Sequence, residues 1–517
     1  MKRLLVFLLV CLCKWTFGQS TLVDTWDRVA FQYPLFEHAI PLSLLYLDSV
    51  DIGNSSVNYF HQNQSFKDAY APALRRGFKV NSERYTDVND WKIWGKFSFS
   101  KYQEQGASFT SMVDPYRSNP YKIADSVGDA DWRKQHYLLK AFILSPQFKP
   151  HFRASIEISY DVLNGARDRD PRPLDKEVHI ELSPMLLYMH QRWIFGLQGY
   201  YQKFREDLNI SVENTQRPQN IYKLLGMGAY LYNRPIILSG GLSREYNGNT
   251  FGGGITLARM LSNEGRIQAS LAYRSQRESV TDGTTSPFDA GLQQGDTWNG
   301  TLSYLGQDAD IQNLIQVSGT WTTSQGTESV QVLNGNTQQY ETLYKAIMHR
   351  AEYGNIQLDY QAMRLKGANR PTWDIHVTGN LTYNKVSYIP TSSLQEISNY
   401  QVSAQFKKFL PMGSKRWTIA AETRYKGNLD NTMEYLPDPS STNYVAQFIL
   451  YPNFYYAITP YWSNALSLEY TFAPFKHKKA QIYIQGGYMH IVPRNEQVYY
   501  PSGLKNQMLE FKLGLYN

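Results

Sequence analysis

His151–Val162 reads HFRASIEISYDV and alternates without a break between polar and apolar side chains. Successive side chains of a β-strand point to opposite faces. One face of this stretch would carry only apolar residues, from Phe152 to Val162, and the other only polar ones. The stretch therefore predicts a strand with one apolar side and one wet side.

The same alternation recurs from about Trp91 to the end of the chain, for example over 267–274, 373–384 and 482–489. These runs are about 10–12 residues long, which is the length that a tilted strand needs to cross a bilayer. Strands of soluble proteins are usually about 5–6 residues long. The sequence therefore predicts an all-β fold, a single antiparallel transmembrane β-barrel of roughly 16–18 strands, with an even number expected.

The connections between these runs come in two sizes. Met412–Ser414 is short, whereas Glu206–Ile221 and Glu278–Asp296 are long and polar. Short turns at one end and long loops at the other are typical of outer-membrane barrels. The chain ends in a further alternating run, Leu509–Tyr516, and we expect this strand to pair with the first one so that the sheet has no free edge.

The composition fits a protein at a membrane boundary, with 39 Tyr, 11 Trp and 24 Phe among 517 residues. Tyrosine and tryptophan combine an apolar ring with a polar group, and they form girdles around outer-membrane barrels. The formal charge is only +7, and no long basic block occurs. This argues against nucleic-acid binding as the main task.

The first residues predict export from the cytoplasm. Met1–Arg3 is basic, and the apolar run Leu4–Cys13 that follows is too short for a spanning helix, which needs roughly 20 residues. We therefore predict a signal peptide at 1–18. Cys11 and Cys13 both lie inside it, so the mature chain would have no disulfide and no thiolate.

Two regions follow the signal peptide. Residues 19–90 are less regular and contain three prolines, and we expect them to be a plug, a cap or the first strands. Residues 91–517 are expected to form the barrel.

Asp114–Tyr137, DPYRSNPYKIADSVGDADWRKQHY, is dense in Pro, Tyr, Asp and Arg between two alternating segments. One interpretation is a loop that folds inward to constrict the barrel or to bind a ligand, with Arg117 facing three acids. These acids are Asp125, Asp129 and Asp131. They could also hold Ca²⁺, which prefers clustered oxygen ligands, although the spacing is not that of an EF-hand. The alternative is an ordinary external loop ordered by turns and ion pairs.

Asn164–Asp175, NGARDRDPRPLD, is a second unusual segment, in which charges alternate in sign and prolines stiffen the turn. Arg167, Asp170 and Arg172 could pair with the first segment across the barrel mouth. An ordinary loop between two strands is an equal alternative.

The sequence offers little support for catalysis. It contains neither a GxSxG nor an HExxH motif, and we predict no catalytic residue, no metal ligand and no cofactor apart from the possible Ca²⁺. Histidines such as His136, His151, His179 and His376 lie on strand patterns, where an inward polar residue in a wet lumen is expected. An outer-membrane hydrolase is the least favoured alternative.

These two segments, together with WGKFSFSKYQEQ at Trp94–Gln105, resemble an uncharacterised family of Bacteroidota outer-membrane β-barrel proteins. The resemblance covers nearly the whole mature chain, and it departs from the family at Gly128–Asp131. It implies a barrel in the outer membrane. Some members are encoded near TonB-dependent receptors, which implies an accessory role in uptake. No catalytic or binding residue is carried over.

Two functions follow as expectations. The first is a transport-related barrel, either a channel or an accessory to an active importer, because a ring of about 16 strands leaves an aqueous lumen. The second is a plugged barrel that acts as a structural subunit through its loops. The expected partners are outer-membrane lipid and the barrel-insertion machinery, and a TonB-dependent receptor or another outer-membrane protein is a further candidate.

Overall fold

In the computed structural model, the chain is described at residues 21–32, 45, 51–216, 219–233, 235–238, 240–261, 265–367, 369–436, 443–475, 480–494 and 498–517. The predicted signal peptide lies outside the described residues. Eighteen strands form one closed antiparallel sheet. They are β1 (Ile52–Gln64), β2 (Leu74–Val88), β3 (Trp91–Ala107), β5 (Ala130–Leu144), β6 (Phe152–Arg167), β7 (Arg172–His190), β8 (Trp193–Ser211), β12 (Leu242–Met260), β13 (Arg266–Asp282), β14 (Phe288–Asp308), β15 (Ile311–Leu333), β16 (Tyr340–Lys366), β17 (Arg370–Tyr388), β18 (Ser393–Met412), β19 (Lys415–Glu434), β20 (Tyr461–Thr471), β21 (Gln481–Pro493) and β22 (Asn506–Tyr516).

The barrel closes between its first and last strands. β1 pairs with β22 in antiparallel register, from Asn54 opposite Tyr516 to Gln64 opposite Asn506. The predicted closure and strand number are therefore confirmed. The barrel begins at Ile52 rather than at Trp91, since β1 and β2 both lie within the less regular segment. Their alternation is hard to recognise because β1 reads IGNSSVNYFHQNQ, with few apolar residues on its outer face.

The apolar face of each strand points outward. In β6 the polar residues Ser155, Glu157 and Ser159 are buried inside the ring, whereas Tyr160 is exposed on the outer surface. β17 follows the same rule, with Leu381 half exposed outside and Asp374 buried inside. An apolar outer surface around a polar lumen is the arrangement that a bilayer requires of a spanning barrel. The chain is a transmembrane β-barrel.

One end of the barrel has short turns, such as 89–90, 191–192 and 413–414. At the other end the strands extend well beyond the predicted loop boundaries. Glu206 and Glu278, which the sequence suggested as the first residues of long loops, lie within β8 and β13. β15 and β16 are 23 and 27 residues long, so their hairpin projects far beyond a bilayer that about 9–11 residues cross.

Three connections at this long-loop end fold into the lumen. They are the inserted segments 108–129, 212–241 and 435–460, of which the last two are described here only at 212–216, 219–233, 235–238, 240–241, 435–436 and 443–460. The first two form a small sheet from β4 (Ile123–Asp125), β9 (Gln219–Gly226), β10 (Ala229–Tyr230) and β11 (Ile236–Leu238). The third contains a π-helix at Ala446–Leu450 and the α-helix α2 (Tyr451–Ile458). Together the inserted segments lie within the lumen at this end.

A helix lies at the short-turn end. α1 (Leu22–Phe31) begins with a capping box in which Thr21 and Asp24 satisfy each other's backbone N–H groups. Val23, Val29 and Phe31 are buried against the barrel. No helix among the described residues has the length and apolar character needed to cross a membrane. The buried side chains of α1 pack against barrel residues at this end.

Candidate functional site: the closed lumen

Arg117 holds the first inserted segment to the barrel wall. Its guanidinium pairs with two carboxylates on separate strands, Glu206 of β8 and Glu278 of β13. The same group lies over the rings of Phe204 and Tyr246, at 4.1 and 4.8 Å from the ring centroids. A planar, permanently charged group with donors on two sides suits such a bridge. This contact fixes the middle of the segment across the lumen.

Asp125 and Arg167 form a second attachment. Arg167 Nη2 lies 2.8 Å from Asp125 Oδ2, and Ser111 Oγ donates to the same carboxylate oxygen at 2.6 Å. Arg167 also donates to the Thr110 carbonyl at 3.0 Å. The two charged side chains are almost completely buried. Burial of such a pair is tolerated when the remaining donors and acceptors are also bonded, as they are here.

A third attachment joins the second inserted segment to the wall. Asp282 of β13 accepts from Arg244 of β12 at 2.5 and 2.8 Å and pairs with Lys223 of β9 at 2.6 Å. Arg244 also donates to the Tyr121 carbonyl at 3.1 Å, so the same cluster touches the first segment. Burial lowers the pKa of Lys223, although Asp282 opposes this shift. The first two inserted segments are thus bound to the wall and to each other by ion pairs and hydrogen bonds.

The predicted pairing of Arg117 with the loop acids differs from the structure. Arg117 contacts the wall acids, and Asp125 contacts Arg167 instead. Asp129 accepts from Arg169 through its backbone carbonyl at 2.6 Å, and Asp131 accepts from the Gly106 N–H at 3.3 Å. The prediction was wrong because Arg117 pairs with acids on strands that are distant in the sequence. The register of the closed sheet decides which strands lie beside the loop, and the loop sequence alone does not show this register.

The second predicted segment does meet the first, through Arg167 as described. Asp170 pairs with Arg172 at 2.9 Å and accepts from the backbone N–H groups of Glu213 and Asn214, at 3.3 and 2.8 Å. It therefore ties the turn between β6 and β7 to the segment 212–241. Among the described residues, no three His, Cys, Asp or Glu side chains lie close enough together to hold a metal ion.

A cavity of about 530 Å³ lies between the inserted segments and the wall of strands β13 to β18. The inserted segments contribute Tyr116, Lys122 and Leu450 to its lining, and the wall contributes mainly uncharged polar side chains. Lys122 Nζ donates to the Pro115 carbonyl at 2.6 Å, and burial lowers the pKa of Lys122 to about 8. The amide and hydroxyl side chains of the wall include Gln276, Gln293, Thr297, Thr322, Asn384 and Gln395, and the wall also contributes His349 and Glu352. Sequence reasoning missed them, because single amides and hydroxyls on inward faces are expected in any wet lumen.

At the opposite end, ion pairs attach α1 to the barrel wall. Arg416 Nη1 of β19 lies 3.1 Å from Asp24 Oδ1 and 2.6 Å from Asp27 Oδ2. Arg370 of β17 lies 3.6 Å from Asp24. Burial raises the pKa of Asp27, while Arg416 and Lys407 act against this shift. α1 is thus attached to the wall by a buried cluster of ion pairs, as the inserted segments are.

A family model described as "Family of unknown function (DUF6850)" matches residues 41–517. The chain belongs to this family. No curated protein matches the sequence of this DUF6850 chain. A Bacteroidota origin and an association with TonB-dependent receptors remain predictions.

Several solved structures resemble the DUF6850 barrel. The ferric preacinetobactin receptor BauA of Acinetobacter baumannii has a TM-score of 0.39 and 7% identity, with 90% of this chain and 80% of that chain covered. The ferric-catecholate import receptor Fiu of E. coli K12 has a TM-score of 0.39 and 8% identity, with coverage of 90% and 82%. A FadL homologue of Pseudomonas aeruginosa has a TM-score of 0.33 and 10% identity, with 92% of each chain covered. The fold assignment of the DUF6850 chain rests on its own strand pairing.

Proposed function

We propose that this protein is an outer-membrane barrel with a transport-related role, in which the lumen is closed by inserted segments that can be released. The observation that carries the proposal is how these segments are held. Side-chain ion pairs such as Arg117–Glu206 and Arg167–Asp125 join them to the wall, while the barrel strands pair with one another. Such contacts can be exchanged without opening the sheet.

The lumen itself supports passage of a polar solute. Its wall is polar on the inner face, and a ring of about 16 strands or more encloses space beyond what side chains fill. The cavity beside the segments contains part of this space. The protein would act as a channel or as an accessory to an active importer.

Single-channel conductance in planar bilayers tests this proposal. The wild-type barrel should conduct weakly, because the inserted segments occupy one end of the lumen and α1 lies inside the other. A double variant, Arg117→Met with Arg167→Met, should show larger and longer openings, since both attachments of segment 108–129 are lost. Arg133→Met is the matched control, because Arg133 pairs with Asp168 where both side chains are more than two-thirds exposed. If the folded wild type and the folded double variant both showed no channel openings, the proposal that the inserted segments can be released would be contradicted.

A plugged barrel that binds a partner is the second candidate, and the β15–β16 hairpin favours it. Beyond the bilayer this hairpin carries exposed apolar side chains, including Val332, Leu343 and Tyr344, at 51%, 64% and 55% exposure. A TonB-dependent receptor or another outer-membrane protein would be the partner. Leu343→Lys combined with Tyr344→Lys should abolish co-purification of such a partner in mild detergent, and an unchanged yield would argue against this surface.

An outer-membrane hydrolase remains the third and least favoured function. His376 Nε2 lies 3.0 Å from Asp359 and 3.2 Å from the hydroxyl of Thr378. A catalytic triad requires the acid and the nucleophile to contact different nitrogens of the histidine. This trio uses one nitrogen for both, so it offers no support for hydrolysis. Lipase and protease assays on the purified barrel would test the point.

A further inference from the structure

We infer that the cavity beside the inserted segments is a binding site for a neutral, polyhydroxylated solute of the sugar class. The inference names the ligand of the proposed transport barrel and therefore rests on that function. It is carried by the chemistry of the lining and by one buried amide oxygen, Gln293 Oε1, that has no hydrogen-bond partner among the described residues.

The lining combines groups that can both donate and accept hydrogen bonds. Gln276, Gln293, Asn384 and Gln395 supply amides, while Thr297 and Thr322 supply hydroxyls. A sugar hydroxyl also donates once and accepts, so amide side chains match it in either direction. All six side chains belong to barrel strands, which hold them more rigidly than loops would.

Two of the three charged side chains that line the cavity, Arg117 and Lys122, already contact other groups, and the third is Glu352. Arg117 is paired with two carboxylates, and Lys122 donates to a backbone carbonyl. An anionic ligand would have to displace these contacts and would also face the Glu352 carboxylate, whereas a neutral ligand would leave the contacts in place and could donate its hydroxyls to Glu352.

Tyrosine rings complete the site. Tyr116 and Tyr353 both line the cavity and are 60% and 41% exposed, although both lie on the lumen side of the wall. The Tyr116 hydroxyl donates to Asp68 at 3.0 Å, which fixes its ring. An aromatic ring offers a broad apolar face, and sugars present apolar C–H faces between their hydroxyls. The volume of about 530 Å³ falls within the range of roughly 300–1,000 Å³ found for small-molecule sites.

Gln293 provides the independent observation. The residue is only 4% exposed and lines the cavity, and its Oε1 atom has no hydrogen-bond partner among the described residues. Its amide nitrogen makes a long bond of 3.4 Å to the Ser118 carbonyl. A buried polar atom without a partner is costly, and such atoms are usually satisfied by a ligand or by water. A ligand hydroxyl in this cavity would satisfy Gln293.

Isothermal titration calorimetry on the full mature protein in detergent tests the inference. The probes are glucose, galactose, maltose and cellobiose, with gluconate and glucosamine as charged compounds of similar size. We expect saturable binding of at least one neutral sugar at one site per chain. Binding of the charged compounds alone, or of none of the probes in the millimolar range, would overturn the inference.

Two variants locate the binding. Gln293→Met should weaken sugar binding about tenfold, which corresponds to about 1.4 kcal/mol, and Thr322→Val should weaken it in the same direction. Gln316→Met is the matched control, because Gln316 is 2% exposed, faces inward and has an unpartnered Oε1, yet lies outside the cavity. Equal loss in Gln293→Met and Gln316→Met, or no loss in either, would overturn the site.

The conductance experiment separates this inference from the proposed function. Openings in the double variant without sugar binding would overturn the ligand class and leave the transport role intact. Sugar binding without openings would support the site and contradict the releasable closure.

Discussion

Arg167 of β6 and Asp125 of β4 form a 2.8 Å ion pair that joins the barrel wall to the first inserted segment. Arg167 is 3% exposed and Asp125 is not exposed at all. Both belong to the unusual segments of the sequence, and the structure brings them together across 42 residues. The pair therefore contributes to the closure of the lumen, together with the contacts of Arg117 and of Asp282.

Asp125→Ala should loosen this closure strongly. The substitution leaves the Arg167 guanidinium buried without its carboxylate, and breaking such a pair costs about 3–5 kcal/mol. Faster tryptic cleavage within residues 108–129 and a lower urea midpoint would report the effect. Asp168→Ala is the control, because its pair with Arg133 is exposed and worth less than about 1 kcal/mol. Similar losses in both variants would refute the special role of the buried pair.

Arg117→Lys should also weaken the closure, although the charge is kept. An ammonium group cannot match the flat, two-sided contact with Glu206 and Glu278 or the stacking over Phe204. We expect more frequent openings in bilayer recordings than in the wild type. Arg205→Lys is a matched control on the exposed pair with Asp207. A recording indistinguishable from wild type for Arg117→Lys would show that charge alone suffices.

Lys122 should make stability depend on pH. Its pKa is lowered by burial from 10.5 to about 8, so between these values the unfolded chain binds more protons than the folded barrel. The free energy of unfolding should therefore rise as the pH increases from about 8 to 10.5, by up to roughly 3 kcal/mol. Below pH 8 the lysine is protonated in both states, and this contribution to the slope disappears.

Urea unfolding at several pH values measures this slope. Lys122→Met should reduce it, because the group that loses its proton on folding is gone. Lys149→Met, in an exposed turn at the other end, should leave it unchanged. A slope equally steep in Lys122→Met and wild type would show that other groups cause it.

Two neighbouring residues of β17 test the orientation of the wall. Leu381 is 51% exposed on the outer face, and Asn380 points into the lumen. Leu381→Arg should destabilise the barrel in vesicles by about 2–4 kcal/mol or prevent insertion, because arginine would face lipid. Asn380→Arg should have a small effect. If the second substitution proved the more harmful, the inner and outer faces would have been assigned the wrong way round.

The alternation over His151–Val162 was sufficient to predict strand, orientation and membrane crossing, because period-two patterning is a local property. Asp114–Tyr137 was also recognisable as an unusual loop, and the interpretation that it folds inward agrees with its position. The partners of Arg117 could not be predicted from the sequence, since Glu206 and Glu278 lie 89 and 161 residues from Arg117. Only the register of the closed sheet brings them to one place.

The cavity amides were missed for a related reason. Gln293 and Gln395 are unremarkable in a strand whose inner face is polar throughout. What distinguishes Gln293 is the inserted backbone opposite, which removes it from bulk water, and its Oε1 atom has no partner among the described residues. Solvent exclusion of this kind depends on three separate connections and has no counterpart in any one stretch of sequence.

The strands around the seam are much shorter than those opposite. β20, β21, β22 and β1 have 11, 13, 11 and 13 residues, whereas β15 and β16 have 23 and 27. The rim of the barrel is therefore uneven, because the strands on the β15–β16 side project much further than those at the seam. A large molecule that approaches along the cell surface would be blocked on the β15–β16 side and would reach the opening of the lumen on the seam side. Access to the lumen therefore depends on the direction of approach as well as on the width of the opening.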